Sequence, residues 1–424
     1  MTFGCKVNQY ESEAMSELLD SSGFSKAENY LQCDICIVNS CTVTATGDAK
    51  NRKFIRRVRR ENPDCIMILC GCMPQAFADD PALFEGCDIV IGNTARRDIV
   101  PLISEFLTTR QQIIRIAPHE KTEAFEPMEI SAFNDRTRAC IKIEDGCNRF
   151  CTYCIIPYAR GRVRSKEIDA IRYEAQTLAA NGFKEIVLVG INLSAYGQEW
   201  DLNVYDAVKV VCEVDGIERV RLGSIEPERM TDDILKHLSK EQKFCPHFHL
   251  SLQAGCDATL TRMRRHYDTA EYARIVADIR RLFDNPSITT DVMVGFVGES
   301  EEDFHSSVSF CDRIGFAKTH VFPYSRRKGT AADRMDGHID EHIKHERADI
   351  MIAHTLDQQR RFMQSQVGLT EPVLFETLSK DGLMEGYTKN YTKVRVNHKS
   401  IRSGEIVDVH ITEAFDDYCI GEIE

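Results

Sequence analysis

From the N-terminus to about residue 108, short apolar runs alternate with amphipathic stretches, the βαβ signature of a mostly parallel sheet. A first strand ends at Gly4, and a helix follows from about Asn8 to Ser22, stopped by Gly23. Ile35 to Asn39, Ile66 to Cys70 and Asp88 to Ile91 read as buried strands, with helices over Asp48 to Arg60 and Thr94 to Leu107. The pattern predicts a doubly wound α/β sheet. Residues 110 to 136, with Pro118 and Pro127 among charges, read as a connection with a short strand at Ile113 to Ile116, and a domain boundary falls near 130.

Beyond it the alternation resumes at a longer period. Strands are predicted near Ala139 to Ile143, Glu185 to Val189, Arg219 to Leu222, Phe248 to Leu252, Ile288 to Val294 and Thr319 to Tyr324. Helices fit between them, for example Ile168 to Ala180, Ala270 to Phe283 and Glu302 to Ile314. Six such units fit a partial or complete parallel TIM-like barrel, a (β/α)6 arrangement if partial, whose chemistry belongs at the carboxyl ends of its strands. A charged helix over Asp340 to Gln366 leads to period-2 segments at Val373 to Leu378, Met384 to Thr388, Val394 to Val396 and Ile406 to Ile411. With turns at Asp381-Gly382 and Ser403-Gly404, these predict a small all-β module of the oligonucleotide-binding type. The sequence shows no internal repeat and no low-complexity tract.

Composition narrows the class. The 424 residues are 43% hydrophobic and 28% charged, with a mean hydropathy of -0.31, which excludes disorder and fibre and calls for more than one core. No apolar run approaches the roughly 20 residues of a membrane span, and MTFGCKVNQYESE lacks the halves of a signal peptide, so a cytoplasmic location is expected. Seventeen cysteines in that setting point to metal or redox chemistry rather than a disulfide framework. The net charge of -13 argues against general polyanion binding, so any nucleic acid must be met by local patches.

Cys147, Cys151 and Cys154 stand in DGCNRFCTYCIIPYARGRVRS, directly after the first barrel strand. A structural zinc would take four ligands, whereas an iron–sulfur cluster held by three cysteines leaves one iron open. The motif resembles that of the radical S-adenosylmethionine (radical SAM) superfamily. The resemblance implies that these cysteines hold a catalytic [4Fe–4S] cluster on which S-adenosylmethionine binds. It extends to Tyr153 and to further strand ends: LVGIN with Gly190 and Asn192, GSIEP with Ser224 and Glu226, GFVGE with Gly295 and Gly298, and VFPYS with Phe322, all implied cofactor positions.

Cys5, Cys41 and Cys72 each sit just past the carboxyl end of a predicted parallel strand, the edge at which open α/β sheets bind ligands. Cysteine is also a common core filler, and Cys33, Cys36, Cys65, Cys70, Cys87, Cys140, Cys212, Cys245, Cys256, Cys311 and Cys419 are read as such. The segments GCKVNQYES, VNSCTVT and GCMPQ resemble those of the radical SAM methylthiotransferases. That family implies an auxiliary [4Fe–4S] cluster on Cys5, Cys41 and Cys72 in an N-terminal domain over 1–130, a radical SAM core over 131–366 and a TRAM domain over 367–424. Two departures are visible: the first strand is short, and Val297 stands where the family has proline.

GCKVNQYES, INLSAYG, LQAGCDATLTRMRRHY and VFPYSRRKGT look most like the branch that adds a methylthio group to carbon 2 of threonylcarbamoyladenosine at tRNA position 37. Sister branches act on isopentenyladenosine in tRNA or on an aspartate of a ribosomal protein. A metal-binding, RNA-binding redox sensor without catalysis is the rival from another class. The resemblance implies as partners the tRNA anticodon loop, a one-electron reductant and a sulfur donor, and no membrane. Candidate RNA contacts are Lys50, Arg52, Lys53, Arg56, Arg57 and Arg60 on the predicted helix, with Arg326 and Arg327 after the last barrel strand. Arg160, Arg162, Arg164, Arg262, Arg264, Arg265 and Lys328 extend a ring round the barrel mouth. From Thr370 to Glu424 the tail has 6 Lys and Arg against 11 Asp and Glu. Lys389, Lys393 and Arg395, with Tyr387 and Tyr391, would there have to form one face.

Overall fold

The computed structural model describes residues 1–132, 136–398 and 400–423. Part of the connection read over 110–136 therefore lies outside the described residues. The N-terminal sheet is parallel, in the order Ile35–Ser40, Ile66–Gly71, Ile89–Ile91, Ile113–Arg115. The expected first strand is reduced to a bridge between Thr2 and Asn39 at the outer edge, because the chain turns at Gly4 and begins its helix at Lys6.

Helices cover both faces, as the doubly wound pattern predicts. Val7, Tyr10 and Ala14 of Lys6–Ser21 and Leu102 and Phe106 of Ile99–Thr109 pack with Ile66, Ile68 and Ile89, while Ile55 and Val58 of Ala45–Glu61 pack with Val38, Met67 and Leu69. The strand order, however, runs in sequence without the reversal that opens a switch-point crevice in doubly wound sheets. The carboxyl edge of this sheet is instead closed by a second domain.

That domain is the expected partial barrel. Arg138–Lys142, Glu185–Val189 and Arg219–Leu222 form one parallel run. After a break at Gly223 it continues through Ser224–Ile225, His247–Leu250, Ser287–Val294 and Lys318–Pro323. Capping boxes at Asn203 with Asp206 and at Ser300 with Asp303 start two of its helices, each satisfying otherwise orphaned backbone donors. One hydrophobic cluster runs from Val7 and Tyr10 into Ile141, Ile171 and Leu188, so the first helix belongs to both domains. Tyr10 fixes the joint with hydrogen bonds to Met128 O at 2.5 Å and to the Glu174 carboxylate at 2.8 Å.

After the helix Glu341–Ser365 the chain closes a five-stranded barrel with its own core of Val373, Phe375, Val394, Val409 and Ile411. Its last strand, Cys419–Glu422, escaped the sequence reading because Gly421 interrupts the pattern; a Cβ there would press on His410 O at 2.8 Å. The loop 388–392 plugs the floor of the large barrel, the amino ends of its strands. Arg219 donates to Tyr387 O at 2.9 Å and to Pro372 O at 2.5 Å, and Arg221 to Lys389 O at 2.9 Å. The Tyr391 ring stacks on His247 at 4.7 Å, with the Arg138 and Arg221 guanidiniums 5.0 and 4.7 Å from its centre. Burial, with Arg221 beside it, pushes the His247 pKa well below the imidazole range.

Candidate active site between two cysteine trios

Cys147, Cys151 and Cys154 lie on the loop that leaves the first barrel strand at the mouth. Gly146 at φ +87° makes the turn, and Cys147 N donates to Gly161 O at 3.0 Å, closing the loop on itself. Thr152 pins it to the far wall through Met263 O at 3.1 Å and Arg262 O at 2.8 Å. Arg265 reaches Cys151 Sγ and the Tyr153 hydroxyl, each at 3.4 Å, and pairs with the Glu226 carboxylate. Burial, with Cys151 beside it, pushes the Cys154 thiol up to about 12, so a cation is needed to draw its proton off.

Of the predicted cofactor positions, Tyr153 and Phe322 line a cavity of about 190 Å³ with Cys154, Gln253, Asp291 and Met293. Gly190 is required because a Cβ would stand 2.7 Å from Glu144 Oε2, which accepts from Asn192 N at 2.7 Å. Burial raises the Glu144 pKa well above the carboxylate range, a shift that a cationic donor beside it would oppose. Glu144 Oε1 and Asn192 Oδ1 are buried without a partner, two orphaned acceptors suited to an ammonium donor. Ser224 is exposed at the strand end. Gly295 and Gly298 fall outside the cavity: Gly295 packs on Lys344, and Gly298 N donates to Gly337 O at 2.9 Å.

Cys5, Cys41 and Cys72 converge at the carboxyl edge of the N-terminal sheet. Cys5 caps the first helix and donates to Asn8 Oδ1 at 3.3 Å. A Cβ on Gly4, at φ +108°, would stand 2.6 Å from Cys41 Cβ and 3.1 Å from its Sγ, so glycine lets Cys41 approach. Gly71, at φ +96°, turns Cys72 into a short helix while passing Ser40 O, which a Cβ would meet at 2.5 Å. Burial, with Cys72 and Cys5 nearby, pushes the Cys41 thiol up to about 12. Among the described residues no three Cys, His, Asp or Glu side chains crowd round one point as a single ion requires. A multi-iron cluster seats each cysteine on its own iron and does not need them to.

Arg160 joins the trios, a role absent from the sequence reading, which placed it on an RNA-facing ring. It ends the helix Ile156–Arg160 that follows Cys154, is fully buried, and donates to Cys72 Sγ and Asn8 Oδ1, both at 3.1 Å. Glu11 balances it and also pairs with Arg96 at 3.1 Å and Lys142 at 2.8 Å. The signal was available: Glu11 is a carboxylate on the apolar face formed by Val7, Tyr10 and Ala14. Of the six trio cysteines Cys154 alone lines the cavity at the mouth, and the segment after Cys41 reaches it through Val43 and Thr44.

The basic residues divide. Lys50, Lys53, Arg56, Arg57 and Arg60 are exposed on the helix Ala45–Glu61 and Arg52 half-exposed; its first turn touches the mouth through Ala45 N to Ser325 Oγ at 3.1 Å. Arg326 is exposed beside Asp333. Arg327 is not a surface contact: it is buried, bound to Asp48 at 2.5 Å and Thr42 at 2.7 Å, and clamps the two domains. The five tail residues do not form one face. Tyr387, Tyr391 and Lys389 meet the barrel floor, Lys389 donating to Gln242 O at 2.9 Å. Lys393 and Arg395 pair with Glu385.

Comparison with known proteins decides the family. The pattern of the Radical SAM superfamily matches residues 141–311, that of the uncharacterized family UPF0004 residues 1–92, and that of the TRAM domain residues 364–423. The chain is 37% identical to the threonylcarbamoyladenosine tRNA methylthiotransferase MtaB of Bacillus subtilis, covering 99% of this chain and 95% of that protein. The chain belongs to the radical SAM tRNA methylthiotransferases. Within that family it is 38% identical to MtaB of Thermotoga maritima, over 92% of this chain and 89% of that one. It is 32% identical to the tRNA-2-methylthio-N(6)-dimethylallyladenosine synthase of Caldicellulosiruptor saccharolyticus, over 100% and 91%. The methylthiotransferase fold also resembles the radical S-adenosylmethionine methyltransferase TsrM of Kitasatospora setae, with a TM-score of 0.57 at 14% identity, covering 74% of this chain and 72% of that one. Among the described residues no helix is long and apolar enough to cross a membrane.

Proposed function

We propose that this methylthiotransferase inserts a methylthio group at carbon 2 of threonylcarbamoyladenosine at tRNA position 37. The observation that carries the reading is the buried link between the two cysteine trios, Arg160 of the helix after Cys154 donating to Cys72 Sγ at 3.1 Å. Cys147, Cys151 and Cys154 would hold the catalytic [4Fe–4S] cluster in a core over 131–366, and Cys5, Cys41 and Cys72 the auxiliary one in a domain over 1–130. Bound there, the clusters and S-adenosylmethionine would supply the radical and the methylated sulfur that no side chain can.

The protein's part is positioning. Tyr153, Gly190, Asn192, Glu226 and Phe322 would seat S-adenosylmethionine at the mouth, with the unpartnered acceptors of Asn192 and Glu144 facing its ammonium group. Arg160 holds Cys72 in place and balances negative charge beside it. Lys50, Lys53, Arg56, Arg57 and Arg60 would guide the anticodon arm to the mouth, with the module over 367–424 bracing the barrel.

The test is anaerobic reconstitution, a one-electron reductant, a sulfide source, and tRNA bearing threonylcarbamoyladenosine or isopentenyladenosine, with nucleosides read by mass spectrometry. The expected product is the methylthio derivative of the first, abolished in a C5A/C41A/C72A variant that still forms 5′-deoxyadenosine. Modification of isopentenyladenosine alone would move the chain to the sister branch, to which it is 32% identical over its whole length. Unchanged product from the triple variant would overturn the site.

A further inference from the structure

The methylthiotransferase reading leaves eleven other thiols unused, and three of them gather in one place. Cys33 and Cys36, spaced C-x-x-C, meet Cys65 at the amino ends of the strands Ile35–Ser40 and Ile66–Gly71. Cys33 Sγ lies 3.6 Å from Cys65 Sγ, and the thiol of Cys36 interacts with both. Cys36 and Cys65 are buried, while Cys33 is partly exposed, so the group has one solvent-facing member.

Core packing does not account for this grouping. Among the described residues, Cys311 and Cys419 stand without another thiol beside them, and burial pushes them up to about 12 and 11. In the trio, Cys65 beside it brings the Cys36 thiol down to about 7 despite burial, while the same interaction pushes the Cys65 thiol up and burial pushes Cys33 up. The backbone is held ready. Asn62 Nδ2 donates to Tyr30 O at 3.0 Å and Cys33 O at 2.9 Å, and Arg59 donates to Cys65 O at 2.6 Å, tying the two cysteine-bearing segments together. Six-residue strands separate this end of the sheet from Cys41 and Cys72, a distance of roughly 20 Å, so these thiols do not serve the auxiliary site.

We propose that Cys33 and Cys65 are a reversible disulfide site, oxidised by small-molecule disulfides, with Cys36 as the thiol that reopens the bond. The Cys33 thiolate attacks one sulfur of the incoming disulfide and expels one thiolate. Cys65 then gives its proton to the Cys36 thiolate beside it, attacks the Cys33 sulfur and expels the second thiolate. Two protein thiols lose two protons and two electrons, and the oxidant leaves as two thiols. Reopening runs through attack of the Cys36 thiolate on the Cys33 sulfur, which releases the Cys65 thiolate, and an external thiol reduces the resulting Cys33–Cys36 bond at its partly exposed sulfur. Closure moves the two sulfurs from 3.6 Å to a bond of about 2.05 Å. Cys33 precedes its strand, so the shift falls on a bend.

The experiment uses the full-length cluster-loaded protein without oxygen, equilibrated in glutathione buffers of rising disulfide fraction, acid-quenched, alkylated and digested. The expected result is a cross-linked peptide pair containing Cys33 and Cys65, about 2 Da lighter than the two reduced peptides, which dithiothreitol reverses. In C65A the Cys33 peptide carries glutathione or a bond to Cys36. In C36S the cross-link forms and its reduction slows several-fold. Three thiols alkylated across the whole series, Cys33 glutathionylated with Cys65 still alkylated, or stoichiometric zinc shielding all three would overturn the site. Unchanged reduction of C36S would overturn the role of Cys36. The readout is a mass and does not depend on which tRNA is modified.

Discussion

Replacing Glu11 with glutamine tests the joint on which both cysteine trios depend. Burial pushes the Glu11 carboxyl up, but Arg160, Arg96 and Lys142 outweigh it and hold the pKa at about 2, against 4.5 for the free side chain. At about 1.4 kcal/mol per tenfold change in acidity, that difference is worth on the order of 3 kcal/mol. The folded pKa is depressed, so this stability is fully present above pH 4.5 and is lost as pH falls from there towards 2. E11Q removes it and leaves three buried cations short of an anion; breaking comparable buried pairs costs about 3–5 kcal/mol, which is the same interaction measured from the cations' side. The assay is urea unfolding of the cluster-free chain, followed by far-ultraviolet circular dichroism from pH 7 to pH 3. The expected gap between wild type and E11Q is about 3 kcal/mol at neutral pH, narrowing below pH 4.5 by about 1.4 kcal/mol per pH unit. A gap constant from pH 6 to pH 3, or under about 1 kcal/mol throughout, would refute the reasoning.

Gly4→Ala forces a Cβ to within 2.6 Å of Cys41 Cβ; iron and acid-labile sulfide assays should show about half the iron lost, with the Cys147 site intact. Arg327→Ala leaves Asp48 buried beside only Thr42, and should cost about 3 kcal/mol and speed hydrogen exchange at residues 44–48. Changing Lys50, Lys53 and Arg56 to glutamine should flatten the salt dependence of tRNA affinity by about 0.7–0.9 per phosphate contact removed, with a smaller share from Arg57 and Arg60, which already pair with Glu61. The same change at Lys393 and Arg395, already paired with Glu385, should leave that slope unchanged. Cross-linking of tRNA to Lys393 in the native complex would count against this division.

The buried strands were legible because parallel strands covered on both faces carry unbroken apolar runs, as in Ile66 to Cys70. The cluster cysteines were legible because their spacing is local. The short helix Cys72–Ala76 was not, since Pro74 reads as a breaker although the first turn of a helix tolerates it. Long-range partners were also hidden. Arg160 and Glu11 stand 149 residues apart, and nothing near either one names the other. The basic residues show the limit of reading charge by type. Lys50 and Arg327 look alike in sequence, and only the fold separates a solvated helix face from a buried clamp.

The plug formed by loop 388–392 changes what a shortened chain can teach. Removing the C-terminal module would uncover Arg219 and Arg221 and strip the Tyr391 ring from His247 and Arg138. The larger barrel would be left with an open base lined by cations held against Glu185 alone. Weakened tRNA modification by such a truncation would record a damaged barrel as readily as a missing RNA contact. Point substitutions on the outer strands, away from residues 387–392, keep the base sealed and separate the two effects.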